Sequence, residues 1–205
     1  MRKLKKTQTC HPIFKQILGV DWEKLEPIIQ AHYSLKPYSL DTVCITGTMN
    51  EVYHSRWANI FIPFGMLLGA IIPFNKNNVP IDVYFRCSLN SANLRWNRVF
   101  KFNSQKHYHF NSYMEIHCGN ELIEFVRFGV GMKLALTVED GALVFRSTGF
   151  VWKILGCKIP LPLSMLFGRA YIEERAINEH SFSMKMSITH PWFGQLFRYI
   201  GQFNS

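Results

Sequence analysis

The feature that most constrains this chain is an alternation of apolar and polar residues that begins near Pro80 and continues almost to the C-terminus. Because successive side chains of a β-strand point to opposite faces, a strict alternation predicts a strand with one buried and one exposed face, as in antiparallel sheets. The clearest instance is residues 181–189, in which every second residue is apolar: Phe182, Met184, Met186 and Ile188.

The same period predicts a strand near Val43 to Tyr53 and a series of later ones: 81–88, 94–103, 108–118, 121–128, 130–138, 142–150, 168–176, 181–189 and 195–203. Several are joined by short turn signals, such as Glu139-Asp140-Gly141. Such a run of nine or ten strands favours a strongly curved antiparallel sheet or a closed barrel, because closure removes exposed strand edges. We therefore predict a mainly β (α+β) fold.

Two regions interrupt this pattern. Residues 13–33 show helical spacing in two pieces, which predicts helices on the N-terminal side of the sheet. Residues 58–74 are almost continuously apolar but shorter than the roughly 20 residues that cross a bilayer, so we predict a helix or lid covering the barrel. Residues 152–166 are predicted to form a crossing loop or a short helix.

Length and composition indicate one globular domain, residues 1–205, in which the basic residues 1–12 form a flexible segment. The net charge is +9, but beyond this segment Lys and Arg are scattered along the sequence. Nucleic acid is therefore an unlikely partner, and peripheral contact with an anionic membrane surface is an alternative that the sequence does not favour. The five cysteines are dispersed, which is typical of reduced thiols in the cytoplasm.

Motifs of common cofactor and catalytic sites do not occur in the sequence. It contains no GxGxxG, GxxxxGK[ST], GxSxG or HExxH pattern and no CxxC pair. The His107-x-His109 spacing could serve a metal, but no third ligand stands near it in the sequence. We accordingly predict neither a cofactor nor a metal.

One charged residue occupies the apolar face of a predicted strand. In residues 94–103, Arg98 shares its face with Trp96 and Phe100. A guanidinium stays protonated and is costly to desolvate, so Arg98 must meet an acceptor inside the fold. Glu174 is placed likewise, on the face of Ile172, and predicts a bidentate Arg98–Glu174 pair. Such a pair could be a purely structural salt bridge or part of a binding centre.

Four further residues are candidates for this polar centre. Strand parity places Tyr199 on an apolar face, whereas it leaves Glu115 ambiguous because the opposite face of its strand is the more apolar. His32 ends the first helical region and His190 stands at a strand end. Each histidine could act as an acid or base at the mouth of a cavity.

Residues along nearly the whole chain resemble a known family. In order, they are Phe14-x-x-x-Leu18-Gly19, Leu25, His32, Trp96-x-Arg98-x-Phe100, Glu115, Leu143-x-x-x-Ser147-x-Gly149-Phe150, Ile159-Pro160, Glu174, Phe182 and His190-Pro191-x-x-Gly194-x-x-x-x-Tyr199-x-Gly201. Their order and spacing resemble the family catalogued as domain of unknown function 4166. The resemblance implies no established activity. It singles out the following positions: His32, Trp96, Arg98, Glu115, Glu174, His190 and Tyr199.

These observations lead to one favoured function and two alternatives. We expect the barrel to bind a small, largely apolar or amphipathic molecule that carries an anionic or carbonyl group. The first alternative is an enzyme that uses Glu174 or His190 as a base while Arg98 holds an oxyanion. The second is an auxiliary domain that docks a separate oxidoreductase, since members of the resembled family also occur fused to dehydrogenase- or epimerase-like domains.

Overall fold

The computed structural model describes residues 11–103 and 105–204, so most of the predicted basic segment 1–12 lies outside the described residues. Its helices are α1 Ile13–Leu18, α2 Pro27–Tyr33, α3 Ile62–Leu68 and α4 Ser164–Phe167, with short 3-10 turns at Gly19–Lys24, Trp57–Ile60 and Arg127–Gly129. Its strands are β1 Thr42–His54, β2 Lys76–Ser88, β3 Ser91–Lys101, β4 His107–Ile116, β5 Glu121–Phe125, β6 Val130–Glu139, β7 Ala142–Ile154, β8 Cys157–Leu161, β9 Arg169–Asn178, β10 Ser181–His190 and β11 Gly194–Asn204.

Ten of the strands form a closed antiparallel barrel, which confirms the predicted fold class. Each strand pairs with its neighbour in the chain, except that β7 pairs with β9 and leaves β8 as an extra strand at its side. Pairing of β1 with β11 closes the ring, with Gly47 opposite Phe203. A Cβ at Gly47 would lie 2.3 Å from the Gln202 carbonyl oxygen, so the closing strands approach closely because this residue is glycine.

The alternation read from the sequence corresponds to the inside and outside of this barrel. On β10, Phe182 is buried and packs against Phe203 of β11, with their ring centroids 5.2 Å apart. On the same strand, Ser183 and Lys185 alternate with the inward residues Phe182, Met184 and Met186. The barrel interior is thus filled by the apolar residues of each period-two segment.

The N-terminal helices cover one end of the barrel, which we call the helix end. The backbone N–H of Glu26 donates to the carbonyl of Gly141 in the β6–β7 turn, and that of Tyr38 donates to Ser91 at the start of β3. Phe14 of α1 reaches inward to Phe145, at a centroid distance of 6.0 Å. The apolar face predicted for residues 13–33 is buried against the barrel core.

The opposite end, which we call the loop end, is formed by residues 55–75, 102–103, 105–106, 126–129, 152–169 and 191–193. They meet there because alternate connections of an up-and-down barrel fall at the same end. Aromatic contacts join them: Trp57 stacks on Phe193 at 4.9 Å, and Phe61 packs edge-on against Phe167 at 5.8 Å.

Two interrupting segments differ in detail from the prediction. Residues 58–74 do not form one helix, because α3 ends at Gly69, which adopts a left-handed conformation, and the chain then runs without helix toward β2. The predicted loop or short helix at 152–166 contains α4 and also the short strand β8, which forms a hairpin with β7. Both segments still lie at the loop end.

The cysteines do not cross-link the described fold. Cys44, Cys87, Cys118 and Cys157 are free thiols, and Cys10 lies outside the described residues. Within residues 11–103 and 105–204, no helix combines the length and the apolar character that crossing a membrane requires.

We expect Gly168→Ala to destabilise the loop end strongly. Gly168 has φ 82° and ψ −163°, a region that is essentially restricted to glycine and costs other residues about 1–3 kcal/mol. An added Cβ would also lie 2.4 Å from the Thr189 carbonyl oxygen. Urea unfolding should therefore show a loss of about 3 kcal/mol or more.

Gly119→Ala is the matched control for this substitution. Gly119 also has a positive φ, of 57°, but a Cβ there would meet nothing within 4 Å. Its cost should be limited to backbone strain of about 1 kcal/mol. Equal losses for the two variants would show that the contact with Thr189 is unimportant.

Candidate functional site

The barrel interior contains a pocket with a cavity volume of about 170 Å³. That is about ten times the space that a single water molecule needs. Most of its wall is aliphatic or aromatic, and residues of α3 and α4 contribute to it at the loop end. Its polar side chains are few: Arg98, Glu124, Glu174, Tyr199 and the indole of Trp96. The pocket thus combines an apolar volume with a small number of polar groups, as ligand pockets do.

Arg98 is held in the first of two polar centres. Its guanidinium pairs with the carboxylate of Glu124 and donates to the hydroxyl of Ser112 at 2.6 Å. Ser112 donates in turn to Glu124 at 2.7 Å. The guanidinium carbon also lies 4.2 Å from the ring centroid of Trp96 and 4.0 Å from that of Phe110. Ion pairing and two cation–π contacts therefore stabilise the charge inside the barrel.

Two buried N–H donors in this centre have no hydrogen-bond partner among the described residues. They are Nε of Arg98 and Nε1 of Trp96. Both residues line the pocket, and both lie on the inward face of β3, two positions apart. A buried donor without an acceptor costs about 1–3 kcal/mol. An acceptor that reached either N–H group would remove this cost.

Glu174 belongs to a second polar centre, which faces the helix end. One carboxylate oxygen lies 3.2 Å from Nε2 of His32, and the other accepts a hydrogen bond of 3.1 Å from the Tyr33 hydroxyl. All three side chains are buried. Burial raises the pKa of Tyr33 well above its ordinary value, and the charge of Glu174 raises it further, so Tyr33 stays a donor.

Contacts on both ring nitrogens fix the orientation of His32. Nδ1 lies 3.1 Å from the Ile28 carbonyl, which can only accept, and Nε2 lies 3.2 Å from Glu174. The imidazole is therefore held between its own helix and β9.

Tyr199 lies in the pocket wall nearer the loop end. Its hydroxyl is hydrogen-bonded to the backbone of Ile72, and burial raises its pKa. Tyr108 donates at 2.7 Å to the adjacent carbonyl of Ile71. The two tyrosines thereby attach the segment that follows α3 to the barrel wall. The predicted inward position of Tyr199 is correct, but its hydroxyl has a partner in the fold.

His190 connects two segments of the loop end. Its Nδ1 accepts hydrogen bonds from the backbone N–H groups of Trp192 and Phe193, at 3.1 and 3.3 Å. Its Nε2 donates to the carbonyl of Met165 at 2.9 Å. Both ring nitrogens are therefore occupied by backbone groups. His190 does not line the pocket.

Glu115 lies on the outer face of the barrel. Its carboxylate pairs with Lys153 at 2.6 Å and with Lys158 at 2.7 Å, which ties β4 to the β7–β8 hairpin. Burial alone would raise its pKa, but the hydrogen bonds from the two lysines outweigh burial and lower it. The sequence-based assignment of Glu115 to the interior polar centre is wrong, because Met114 occupies the inward position of this strand.

The predicted pairing of Arg98 with Glu174 is also wrong. Each residue enters the interior as expected, but each has a different partner, so one predicted centre becomes two. The sequence reasoning missed Glu124 because both faces of β5 are buried, and a strand buried on both sides shows no alternation. It missed Tyr33 because this residue fits the apolar pattern of its helix, and it passed over Ser112 although Ser112 interrupts the apolar face formed by Phe110 and Met114.

Few groups in the described chain resemble a metal site. His117, Cys118 and Glu121 have donor atoms within 4.8 Å of one another. They lie around the β4–β5 turn at the helix end, outside the pocket, and two of the three are exposed. An exposed group of this kind is common without an ion and does not connect to the polar centres.

The chain matches the family model described as domain of unknown function (DUF4166) over residues 25–203. The β-barrel protein described above therefore belongs to this family, and the resemblance seen in the sequence is confirmed. The match includes all seven positions that the resemblance singled out. No curated protein matches the chain.

We expect Arg98→Met to destabilise the protein by roughly 3–5 kcal/mol, because it leaves the buried carboxylate of Glu124 without its counter-charge. Adding Glu124→Gln should recover a large part of the loss, since the second substitution removes the stranded charge. Arg146→Met is the matched control: Arg146 pairs with Glu139 at the surface, where an ion pair contributes less than about 1 kcal/mol. Equal losses for Arg98→Met and Arg146→Met in urea unfolding would contradict the interior placement of Arg98.

Glu115→Gln should change how stability depends on pH. The folded-state pKa of Glu115 is lowered, so its ionisation stabilises the fold above the unfolded-state pKa, and this contribution disappears as the pH falls through the folded value. The variant should melt at a lower temperature than the parent at neutral pH, and the two should converge in acid. A constant difference across pH would mean that the charge of Glu115 does not stabilise the fold.

Proposed function

We propose that the barrel binds a small, largely apolar molecule whose polar head is a neutral hydrogen-bond acceptor, such as a ketone, aldehyde or ester carbonyl. The observation that carries the proposal is the pair of unpartnered buried donors, Arg98 Nε–H and Trp96 Nε1–H, on two residues that line an apolar pocket. A carbonyl oxygen has two lone pairs and could accept from both. The apolar remainder of the ligand would fill the volume toward the loop end.

Charge balance favours a neutral head over an anion. Arg98 is paired with the carboxylate of Glu124, and the other carboxylate of the pocket wall, that of Glu174, is contacted by His32 and Tyr33. An anion would therefore have to be desolvated in a pocket without an excess of positive charge, which is expensive. A carbonyl group is less costly to desolvate and still satisfies the two buried donors.

The enzyme alternative receives less support from the same geometry. A general base needs a free lone pair within reach of a substrate proton. Both ring nitrogens of His190 are engaged by backbone groups, and His190 does not line the pocket. Each carboxylate oxygen of Glu174 already has one partner, His32 or Tyr33, so a substrate proton would have to reach the remaining lone pair of a buried, hydrogen-bonded oxygen. Docking of a separate oxidoreductase remains a prediction that these contacts do not test.

Trp96→Phe should weaken binding of a carbonyl ligand selectively. The test uses a medium-chain methyl ketone, the alkane of equal length and the carboxylate of equal length, each displacing the neutral dye Nile red from the protein. The parent should prefer the ketone over both of the others. Loss of one hydrogen bond should reduce the preference for ketone over alkane by about three- to tenfold, while alkane binding is retained.

Trp152→Phe is the control for Trp96→Phe, and two results of the displacement assay would contradict the proposal. In Trp152→Phe, the lost Nε1–H donates to the Phe128 carbonyl outside the pocket, so the ketone preference should not change. A parent that prefers the carboxylate would contradict the neutral head. A parent from which none of the ligands displaces the dye would contradict the proposed function altogether.

A further inference from the structure

We propose that the loop end docks on the surface of an anionic lipid bilayer, so that an apolar ligand can pass between the bilayer and the pocket. The second half of this statement rests on the proposed function, whereas the docking does not. The juxtaposition that carries the proposal is an exposed apolar surface surrounded by basic residues, at the end of the barrel where α3 and α4 line the pocket.

Helix α3 is apolar on both of its sides. Gly65 and Leu68 line the pocket, while Phe64 and Leu67 point outward and are each 61% exposed. A helix that is apolar all round is typical of one buried on every side. Among the described residues, nothing covers the outer side of α3.

The exposed apolar surface extends across all the loop-end connections except the β3–β4 turn. Most of the exposed large hydrophobic side chains among the described residues lie at this end and not at the helix end. They come from four separate segments and include Trp57, Phe64, Leu67, Phe128, Leu155 and Trp192. Large exposed apolar patches rimmed by polar residues mark protein or membrane interaction sites.

The charge of this end complements an anionic surface. None of the 14 Asp and Glu residues of the sequence lies in residues 55–75, 102–106, 126–129, 152–169 or 191–193. The same segments contain the exposed residues Arg56, Lys106, Arg127 and Arg169, none of which forms an ion pair with a described residue. Lys153 and Lys158 also lie here and share the single carboxylate of Glu115.

A bilayer interface accounts for both properties together. Aromatic and aliphatic side chains enter the boundary between headgroups and acyl chains, while Lys and Arg contact anionic headgroups. Each basic residue near such a surface contributes about fivefold to binding at physiological ionic strength. A protein partner could also cover an apolar face, but it would not require that every acidic residue be absent from five separate connections.

Vesicle flotation with the full chain tests the docking. The probes are vesicles of phosphatidylcholine alone and of phosphatidylcholine mixed with phosphatidylglycerol. We expect the protein to float with the anionic vesicles and to bind those of phosphatidylcholine alone more weakly. Raising the salt concentration should weaken the binding to the anionic vesicles.

Two paired substitutions locate the contact. Phe64→Glu with Leu67→Glu should reduce binding at least tenfold, and Val20→Glu with Leu40→Glu is the control, because these two exposed apolar residues lie at the helix end. Arg56→Gln with Arg127→Gln should reduce binding about fivefold per residue, with Lys24→Gln and Lys36→Gln as the charge-matched control. Thermal melting of each variant reports whether the fold is retained.

Several results would overturn the proposal. These are absence of flotation, flotation unaffected by the loop-end substitutions, or flotation lost only when Arg2, Lys3, Lys5 and Lys6 are replaced by glutamine. A dimer that the Phe64→Glu and Leu67→Glu pair dissociates, in a protein that binds no vesicles, would identify an interface between copies instead. Dye displacement without vesicles is scored separately, so failure of the docking and failure of ligand binding remain distinguishable.

Discussion

The pairing of β1 with β11 is the interaction on which the rest of the structure depends. It joins the first strand to the last and converts a meander into a ring, which removes both sheet edges and gives every strand an inside face. Arg98, Ser112 and Glu124 lie on the neighbouring strands β3, β4 and β5, and closure turns the face that carries them into an interior wall. Closure also gives the N-terminal helices an end to cover. The enclosed pocket is a consequence of this closure.

The two ends of the barrel serve different purposes. At the helix end, Tyr33 and His32 are buried against the barrel and contact the carboxylate of Glu174. This end is therefore part of the core. At the loop end, His190 and the two tyrosines, Tyr108 and Tyr199, fix the segments that cover the pocket. The outer side of those segments is apolar, and it exposes more large hydrophobic side chains than the helix end does.

Polar groups in the interior are nearly, but not completely, satisfied. Glu124, Ser112 and Glu174 all have partners in the fold, whereas Arg98 Nε and Trp96 Nε1 have none among the described residues. A buried N–H donor without an acceptor costs stability, and this protein retains two of them, two positions apart on β3. A bound ligand with an acceptor atom would remove that cost. This asymmetry is the basis of the proposed binding function.

The sequence by itself determined a mainly antiparallel sheet that is strongly curved or closed, since a period of two over most of the chain after Pro80 indicates strands, and many short-linked strands favour closure. That the sheet closes is seen only in the pairing of β1 with β11. The sequence also determined that Arg98, Glu174 and Tyr199 enter the interior, because strand parity is local. Only the tertiary structure decided that Arg98 pairs with Glu124, since the register between strands lies outside any local pattern. It also decided that four exposed basic residues from distant parts of the chain lie together at the loop end, because alternate turns of the barrel meet there. They are Arg56, Lys106, Arg127 and Arg169.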